Sequence, residues 1–574
     1  MKIIKGIAVS SGIAIGRAFI YINSIPSVQT RPIENSSEEL ERLESAFENL
    51  EQHLAEYKDN VSKKLGKDQA EIFEAHRMML HDPAFRDEIQ NIIRSDRICA
   101  EAAVKLVSDR LQATFDAMQD EFFRARANDI KDITSQIIRI LCGLPLARLE
   151  SLVEPVILIA NDLYPSDTVQ MDKNLILGLV TSQGSKTSHS AILARSLQIP
   201  AIVGVGTEIL EIKKGEKLIL DGTDGQVIIT PDPQTEQVYF YRQQKIQIDR
   251  SKNSSTALEP AITRDGKRIQ VLANIGSIAE AERVISSGGE GVGLLRTEFL
   301  FLDRVVSPSE EEQLDVYTSI AKKLDNYTLT IRTLDVGGDK PLPYLSLTNE
   351  NNPFLGNRGI RLCLNLPELF RVQLRAILRA SAEHQISIMF PMITTIEEIY
   401  RAKALLDEVK NDLIACKLPY GDPKIGIMIE TPSSALMADL FATQVSFFSI
   451  GTNDLTQYTL AADRTNPVVQ EIADPYNPAV LRLIFYTIQN AHKHNIPVAM
   501  CGELAGDTLA TPLLIGMGLD EFSMSLNAIP DVKEMIRRWS VSEASDFVNR
   551  VLQMPDVKSV LAFLRQISKT VDEQ

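Results

Sequence analysis

The order of apolar and helical segments along the chain predicts an α/β protein. It has a C-terminal (β/α)8 barrel and an N-terminal α/β domain with an inserted helical bundle. Three observations carry this. From about residue 262 onward, eight short apolar runs alternate with helical stretches, the number that closes a barrel of parallel strands. Between residues 155 and 230, strand and helix signals alternate again. Between residues 35 and about 145, glycine and proline are scarce and charge is dense, and apolar residues such as Ile72, Phe73, Met79 and Leu80 recur at helical spacing. A chain of 574 residues, 44% hydrophobic and 24% charged, has material for roughly three or four packed domains.

Taken in order, residues 1–20 are apolar and punctuated by Gly6, Gly12 and Gly16, which predicts short strands. The helical region follows, read as a bundle of two hairpins. Val156–Ala160, Leu175–Val180, Ala201–Val205, Lys217–Asp221 and Gln226–Ile229 then read as strands. The helical residues 21–147 therefore interrupt one α/β domain made of residues 1–20 and 148–230. Within residues 231–261 a polar stretch beginning at Gln234 runs into Ser-Lys-Asn-Ser-Ser-Thr, which predicts a helix and then a flexible linker. The barrel occupies residues 262–574, with strands expected at Ile269–Ala273, Gly291–Leu295, Leu329–Leu334, Ile386–Phe390, Ile425–Ile429, Phe447–Ile450, Pro497–Met500 and Glu521–Met524.

Charge and cysteine content narrow the function. Lys plus Arg is 60 and Asp plus Glu is 76, a net charge of −16. That argues against a nucleic-acid surface and permits docking of a small basic partner. The cysteines, Cys99, Cys142, Cys363, Cys416 and Cys501, lie far apart, with neither a zinc spacing nor a disulfide framework. No apolar run is long enough to span a bilayer, so a cytoplasmic protein without membrane insertion is expected. No Walker-type loop suggests an ATP site. His76 and His81 read as members of a solvated helix face, His492 and His494 as unrelated to metal, and Trp539 as packing.

The chemistry concentrates in two places. Residues 184–195, Gly-Ser-Lys-Thr-Ser-His-Ser-Ala-Ile-Leu-Ala-Arg, put His189 between an apolar run and a helical one. Free N–H groups at a helix start suit an anion, so His189 reads either as a nucleophile whose added phosphate they would hold or as a simple cap. The second place is the set of strand ends in the barrel, where such folds keep their active sites. There stand Asn274, Arg296, Asp335, Pro391, Glu430, Asn453 with Asp454, Cys501 with Glu503, and Ser525. Arg296, Arg332, Lys340, Arg358 and Arg464 converging on one mouth imply a small polyanion, since guanidinium forks match phosphate and carboxylate. Arg361 reads instead as a surface ion pair. Glu430 and Asp454 suit one Mg²⁺ completed by substrate oxygens, or else ion pairs with the arginines. Cys501 is either core or a thiol able to protonate a carbanion-like carbon.

These motifs resemble Enzyme I of the phosphoenolpyruvate:sugar phosphotransferase system along essentially the whole chain. The resemblance rests on Gly-Ile-Ala-Val-Ser-Ser-Gly-Ile-Ala-Ile-Gly at the start, Phe-Glu-Ala-His-Arg-Met-Met-Leu and the His189 loop. It continues in Leu-Leu-Arg-Thr-Glu-Phe-Leu-Phe, Ile-Arg-Thr-Leu-Asp-Val-Gly-Gly-Asp-Lys, Gly-Thr-Asn-Asp and Met-Cys-Gly-Glu-Leu-Ala-Gly. It implies that phosphoenolpyruvate binds at the barrel mouth with Mg²⁺ on Glu430 and Asp454. Arg296, Arg332, Asn453, Asp454, Arg464, Lys340 and Arg358 would hold it. It further implies that His189 takes the phosphoryl group, Cys501 protonates the enolate to pyruvate, and the phosphate passes to the carrier HPr. A homodimer through the barrel is implied as well. A phosphoenolpyruvate-sensing relative with little transfer is the alternative; His189, Arg296, Glu430, Asp454 and Cys501 all being present speaks against it. Ser185 and Asn357 depart from the family's usual residues at their positions.

Overall fold

The computed structural model describes residues 1–21, 28–65, 67–117, 121–144, 152, 154–164, 166–167, 171, 174–184, 188–197, 199–302, 304, 306–337, 342, 344–345, 350–464, 466, 469 and 472–572. It divides into two compact units, residues 1–248 and 249–574.

The first unit is built on one eight-stranded sheet. Its strands are β1 (Lys2–Lys5), β2 (Ile7–Ser10), β3 (Ile13–Tyr21), β4 (Val156–Ala160), β5 (Ile176–Thr181), β6 (Ala201–Val203), β7 (Lys217–Asp221) and β8 (Gln226–Ile229). Their order is β1-β8-β7-β3-β4-β5-β6-β2. β3, β4, β5 and β6 run parallel, as the apolar runs of β4, β5 and β6 suggest, and the remaining pairings are antiparallel. β3 and β4 are neighbours in register, Arg17 opposite Val156 and Tyr21 opposite Ala160, although most of the first unit's helices lie between them in sequence.

Those helices are α1 (Ser36–Leu65), α2 (Lys67–Leu80), α3 (Pro83–Asp96), α4 (Ala100–Ala117) and α5 (Glu121–Leu141). Among the described residues the insertion holds five helices rather than the four of two hairpins. Leu43, Phe47, Leu50 and Leu54 fall on one stripe of α1 and are fully buried with Phe73, Ile93, Val104 and Ile137. α3 starts sharply because Asp82 accepts a hydrogen bond from the Ala84 N–H at 2.8 Å and Pro83 follows it. His76 does not sit on a solvated face. It is fully buried, edge-on to Phe73 and 3.5 Å from Asp129, because it falls on the side of α2 that meets α5.

The second unit is a closed barrel of parallel strands: β9 (Gln270–Ile275), β10 (Val292–Leu295), β11 (Leu329–Arg332), β12 (Ile386–Phe390), β13 (Lys424–Ile429), β14 (Phe447–Ile450), β15 (Val498–Met500) and β16 (Glu521–Met524). β16 closes onto β9 with Phe522 opposite Val271. Strand residues divide by parity. Leu295, Ile388, Phe390, Ile427 and Ile429 join the large core under the surrounding helices. Leu294, Met389 and Met428 gather with Cys501 in a separate cluster, which places them inside the barrel. Trp539 packs edge-on against Phe547, as packing predicts.

The serine-rich stretch, expected as a coil, is largely helical: the helix Pro233–Ser255 runs through most of it. The Asn253 amide donates to Asp531 at 2.8 Å, and the fully buried Lys533 donates to the carbonyls of Ala257 and Gly288 at 2.9 and 2.8 Å. Side-chain partners distant in sequence thus override a local composition that reads as a coil.

Candidate active site

The strand ends bring two buried guanidiniums against four buried carboxylates: Arg332 and Arg358 against Glu298, Asp335, Glu430 and Asp454. Arg332, the last residue of β11, pairs with Glu298 and reaches Asp335 at 3.1 Å. Arg358 lies 3.0 Å from Asp335, 3.4 Å from Asp454 and 3.2 Å from the Tyr458 hydroxyl. Burial alone would drive both arginines toward neutrality. Their carboxylate partners outweigh it and hold them charged.

Glu430 carries the imbalance. Burial first, then Asp454 and Asp335, push its carboxyl well above the usual carboxylate range, against the pull of Arg332 and Arg358. Its Oε1 accepts a 2.6 Å hydrogen bond from the Met392 N–H. Met392 is buried at φ 57, a costly backbone for a bulky residue, and that bend turns its N–H onto Glu430.

Cys501 follows β15 and is buried. Burial pushes its thiol up to about 11, so it carries a proton at neutral pH. Asn274 donates to the Cys501 carbonyl at 2.9 Å, and Asn453 accepts from the Glu503 N–H at 3.0 Å, so both sides of the Cys501 turn are held. Gly502 is required there because a Cβ would fall 1.8 Å from the Thr452 hydroxyl. Arg296 and Arg464 are the accessible cations. The Arg296 side chain is exposed, with no ion pair or hydrogen bond among the described residues, while Arg464 stands 4.0 Å from Asp454 and is 40% exposed.

In the first unit, His189 is the first residue of the helix His189–Leu197, and the structure describes its backbone alone. The start of this helix is fastened around it. The Ser190 hydroxyl donates to Asp162 at 2.6 Å, the Leu163 N–H donates to Ser190 at 3.2 Å, and the Ser188 carbonyl accepts from Ala191 at 3.0 Å.

Three families of PEP-utilising enzymes match the chain: the N-terminal domain over residues 5–126, the mobile domain over 152–225 and the PEP-binding domain over 250–541. The phosphoenolpyruvate-protein phosphotransferase of Bacillus subtilis is 43% identical over 99% of this chain and 100% of its own length. Those of Geobacillus stearothermophilus and Staphylococcus epidermidis are 42% and 41% identical, covering 98% and 99% of this chain and 98% and 100% of their own lengths.

The chain belongs to the phosphoenolpyruvate-protein phosphotransferase family. In this family member the carboxyl ends of β11, β13, β14 and β15 bring together Arg332, Glu430, Asn453, Asp454 and Cys501, with Arg358 reaching in behind Asp335. Lys340 and Ser185 lie outside the described residues. Asn357 turns away from the mouth: its side chain accepts from Asn365 at 3.0 Å and its N–H donates to Glu350, which leaves Arg358 anchored on Asp335. Among the described residues Arg361 forms no ion pair; it donates to the carbonyls of Leu355 and Gly356, both at 3.1 Å. Sequence reasoning placed Asn274 at a strand end and gave no role to Glu298, Tyr458 or the Met392 N–H. Glu298 carried a signal, an acid two places after Arg296 at a strand end. The Met392 backbone carried none.

Proposed function

We propose that this chain takes the phosphoryl group of phosphoenolpyruvate onto His189, releasing pyruvate, and passes it to a histidine of the small carrier HPr. The observation that carries the reading is the protonated, buried Cys501 thiol at the mouth beside the arginine and carboxylate cluster, in a chain that belongs to this family throughout its length.

In this reading Arg296, Arg332, Arg358 and Arg464 hold the phosphate and carboxylate of the substrate, with Asn453 and Lys340. Glu430 and Asp454 fit a Mg²⁺. Both are hard oxygen donors at adjacent strand ends, and the burial and neighbouring carboxylates that lift Glu430 are a cost that a dication would offset. When bound, the ion would neutralise charge on the substrate's oxygens. Arg332 and Arg358 arrive already charged and ordered by carboxylates, so stabilisation of the phosphoryl group in flight needs little reorganisation. A neutral ring nitrogen of His189 attacks phosphorus, and the bond from phosphorus to the enol oxygen breaks. The enolate collects a proton at its methylene carbon from Cys501, giving pyruvate, and the thiolate regains a proton from solvent. Phosphate on His189 would lie at a helix N-terminus, where free N–H groups favour an anion.

We place the HPr docking site on the helical insertion, the homodimer contact on the barrel unit and the protein in the cytoplasm. Among the described residues no helix is long and apolar enough to cross a membrane. The test is pyruvate release from phosphoenolpyruvate with Mg²⁺ and catalytic chain, with and without HPr. Pyruvate is expected to exceed the amount of chain only when HPr is present. Equal turnover by His189→Ala would sink the reading.

A further inference from the structure

We propose that Gln373, on the helix Pro367–Ala380, is a positioning residue that fixes the exits of β10 and β11 relative to each other. This rests on the reading that phosphoenolpyruvate binds at the barrel mouth. The two exits carry four charged residues of that mouth. Thr297 lies between Arg296 and Glu298, and Leu334 lies between Arg332 and Asp335. One glutamine side chain bonds to both Thr297 and Leu334.

The hydrogens in this network have one consistent arrangement. The Leu334 N–H is an obligate donor, so it fixes the Gln373 amide oxygen as its acceptor, at 2.9 Å. The Gln373 NH₂ must then face acceptors. They are the Thr297 hydroxyl oxygen at 3.4 Å and the Tyr317 hydroxyl oxygen at 3.3 Å. Each of those hydroxyls spends its own hydrogen elsewhere. Thr297 donates to the Arg332 carbonyl at 2.9 Å, and Tyr317 donates to Gln313 at 3.1 Å. The Gln313 amide donates to the Pro308 carbonyl at 3.2 Å.

Gln373, Thr297, Tyr317 and Gln313 are all at most 1% exposed. Burial also pushes the Tyr317 phenol upward, so it keeps its hydrogen. A buried network satisfied at every member is rigid, and a partly satisfied one is costly. The lattice runs from the Arg332 carbonyl through Thr297 and Gln373 to the Leu334 N–H. It therefore closes on the strand end that orients Arg332 and Asp335. A leucine would fill the space but could not make these bonds. Displacement of the exits by about 1 Å is enough to cost roughly a hundredfold in rate.

The experiment uses the full chain and measures pyruvate release against phosphoenolpyruvate concentration, with melting temperatures recorded in parallel. Gln373→Leu is expected to lower kcat/KM about ten- to hundredfold, with the loss weighted toward KM. Val548→Ala, in the helix Val541–Leu552 outside the network, serves as the stability control. At the same margin below its own melting temperature it is expected to keep wild-type kcat/KM. Gln373→Glu is expected to regain activity as pH falls, because its protonated carboxyl both donates and accepts. Should Gln373→Leu not fold, Thr297→Val deletes a single hydroxyl of the same network and is expected to lower kcat/KM as well. Wild-type kcat/KM in the folded network variants, or an equal loss in Val548→Ala, would overturn the proposal. Arg296→Ala separates the two levels of failure. If it abolishes turnover while the network variants do not, only the role of Gln373 is wrong; if it too is fully active, the mouth is not the substrate site.

Discussion

Arg332 and Cys501 are the residues on which the proposed chemistry turns, and each makes a separable demand. Arg332 sits between Glu298 and Asp335 with both partners buried. Arg332→Ala strands Glu298 in the interior, while Asp335 keeps Arg358, and is expected to cost about 3–5 kcal/mol, read as a lower denaturant midpoint, together with loss of turnover. Cys501 is expected to behave differently. Cys501→Ala should lower kcat about 10²- to 10⁴-fold and leave the KM for phosphoenolpyruvate nearly unchanged, because the thiol would act only once the phosphorus–oxygen bond has begun to break. Its thiol is pushed from about 9 to about 11. The folded chain therefore keeps a proton that the unfolded chain releases from about pH 9. Stability is expected to fall as pH rises from 9 toward 11, and that increment should vanish in Cys501→Ser when denaturant midpoints of the two proteins are compared across this range.

At the scale of elements, short loops after parallel strands do the positioning. β15, Cys501 and Gly502 run past the helix Thr452–Leu460 at a distance only glycine permits. Gly502→Ala is expected to destabilise the barrel by about 1–3 kcal/mol and to reduce turnover further than that loss explains, since the displaced turn carries Cys501 and the N–H held by Asn453. Elements of this kind were the part most legible in sequence. All eight barrel strands stand where apolar runs announced them, because buried parallel strands are apolar throughout. The ends moved by a residue or two: β11 stops at Arg332 rather than Leu334, and β9 extends to Ile275. What composition hid was determined by contacts between distant residues. Ser251 to Ser255 read as coil but are helical, with Asn253 held by Asp531. His76 read as a surface residue on a charged helix, yet the fold buries it against α5. The mouth cations were visible as arginines after strands. Of their four carboxylates, Asp335, Glu430 and Asp454 stood out at strand ends and Glu298 did not.

At the scale of the whole molecule, the two halves of the proposed reaction fall in different units. The barrel and its mouth belong wholly to residues 249–574, and His189 belongs to residues 1–248. The barrel unit closes its own sheet and buries its own core. Expressed alone, residues 249–574 are expected to bind phosphoenolpyruvate with Mg²⁺ by titration calorimetry and to release no pyruvate. Residues 1–248 alone are expected to take no label from phosphoenolpyruvate. Binding by the first unit instead of the second would reverse the assignment of donor and acceptor. The central claim, that His189 receives the phosphoryl group, has one direct measurement. The intact chain is incubated with phosphoenolpyruvate and Mg²⁺, digested at alkaline pH, and its phosphopeptides are sequenced by mass spectrometry. A single acid-labile phosphate on His189 is the expected result; phosphate on any other residue, or none at all while pyruvate accumulates, would contradict the account.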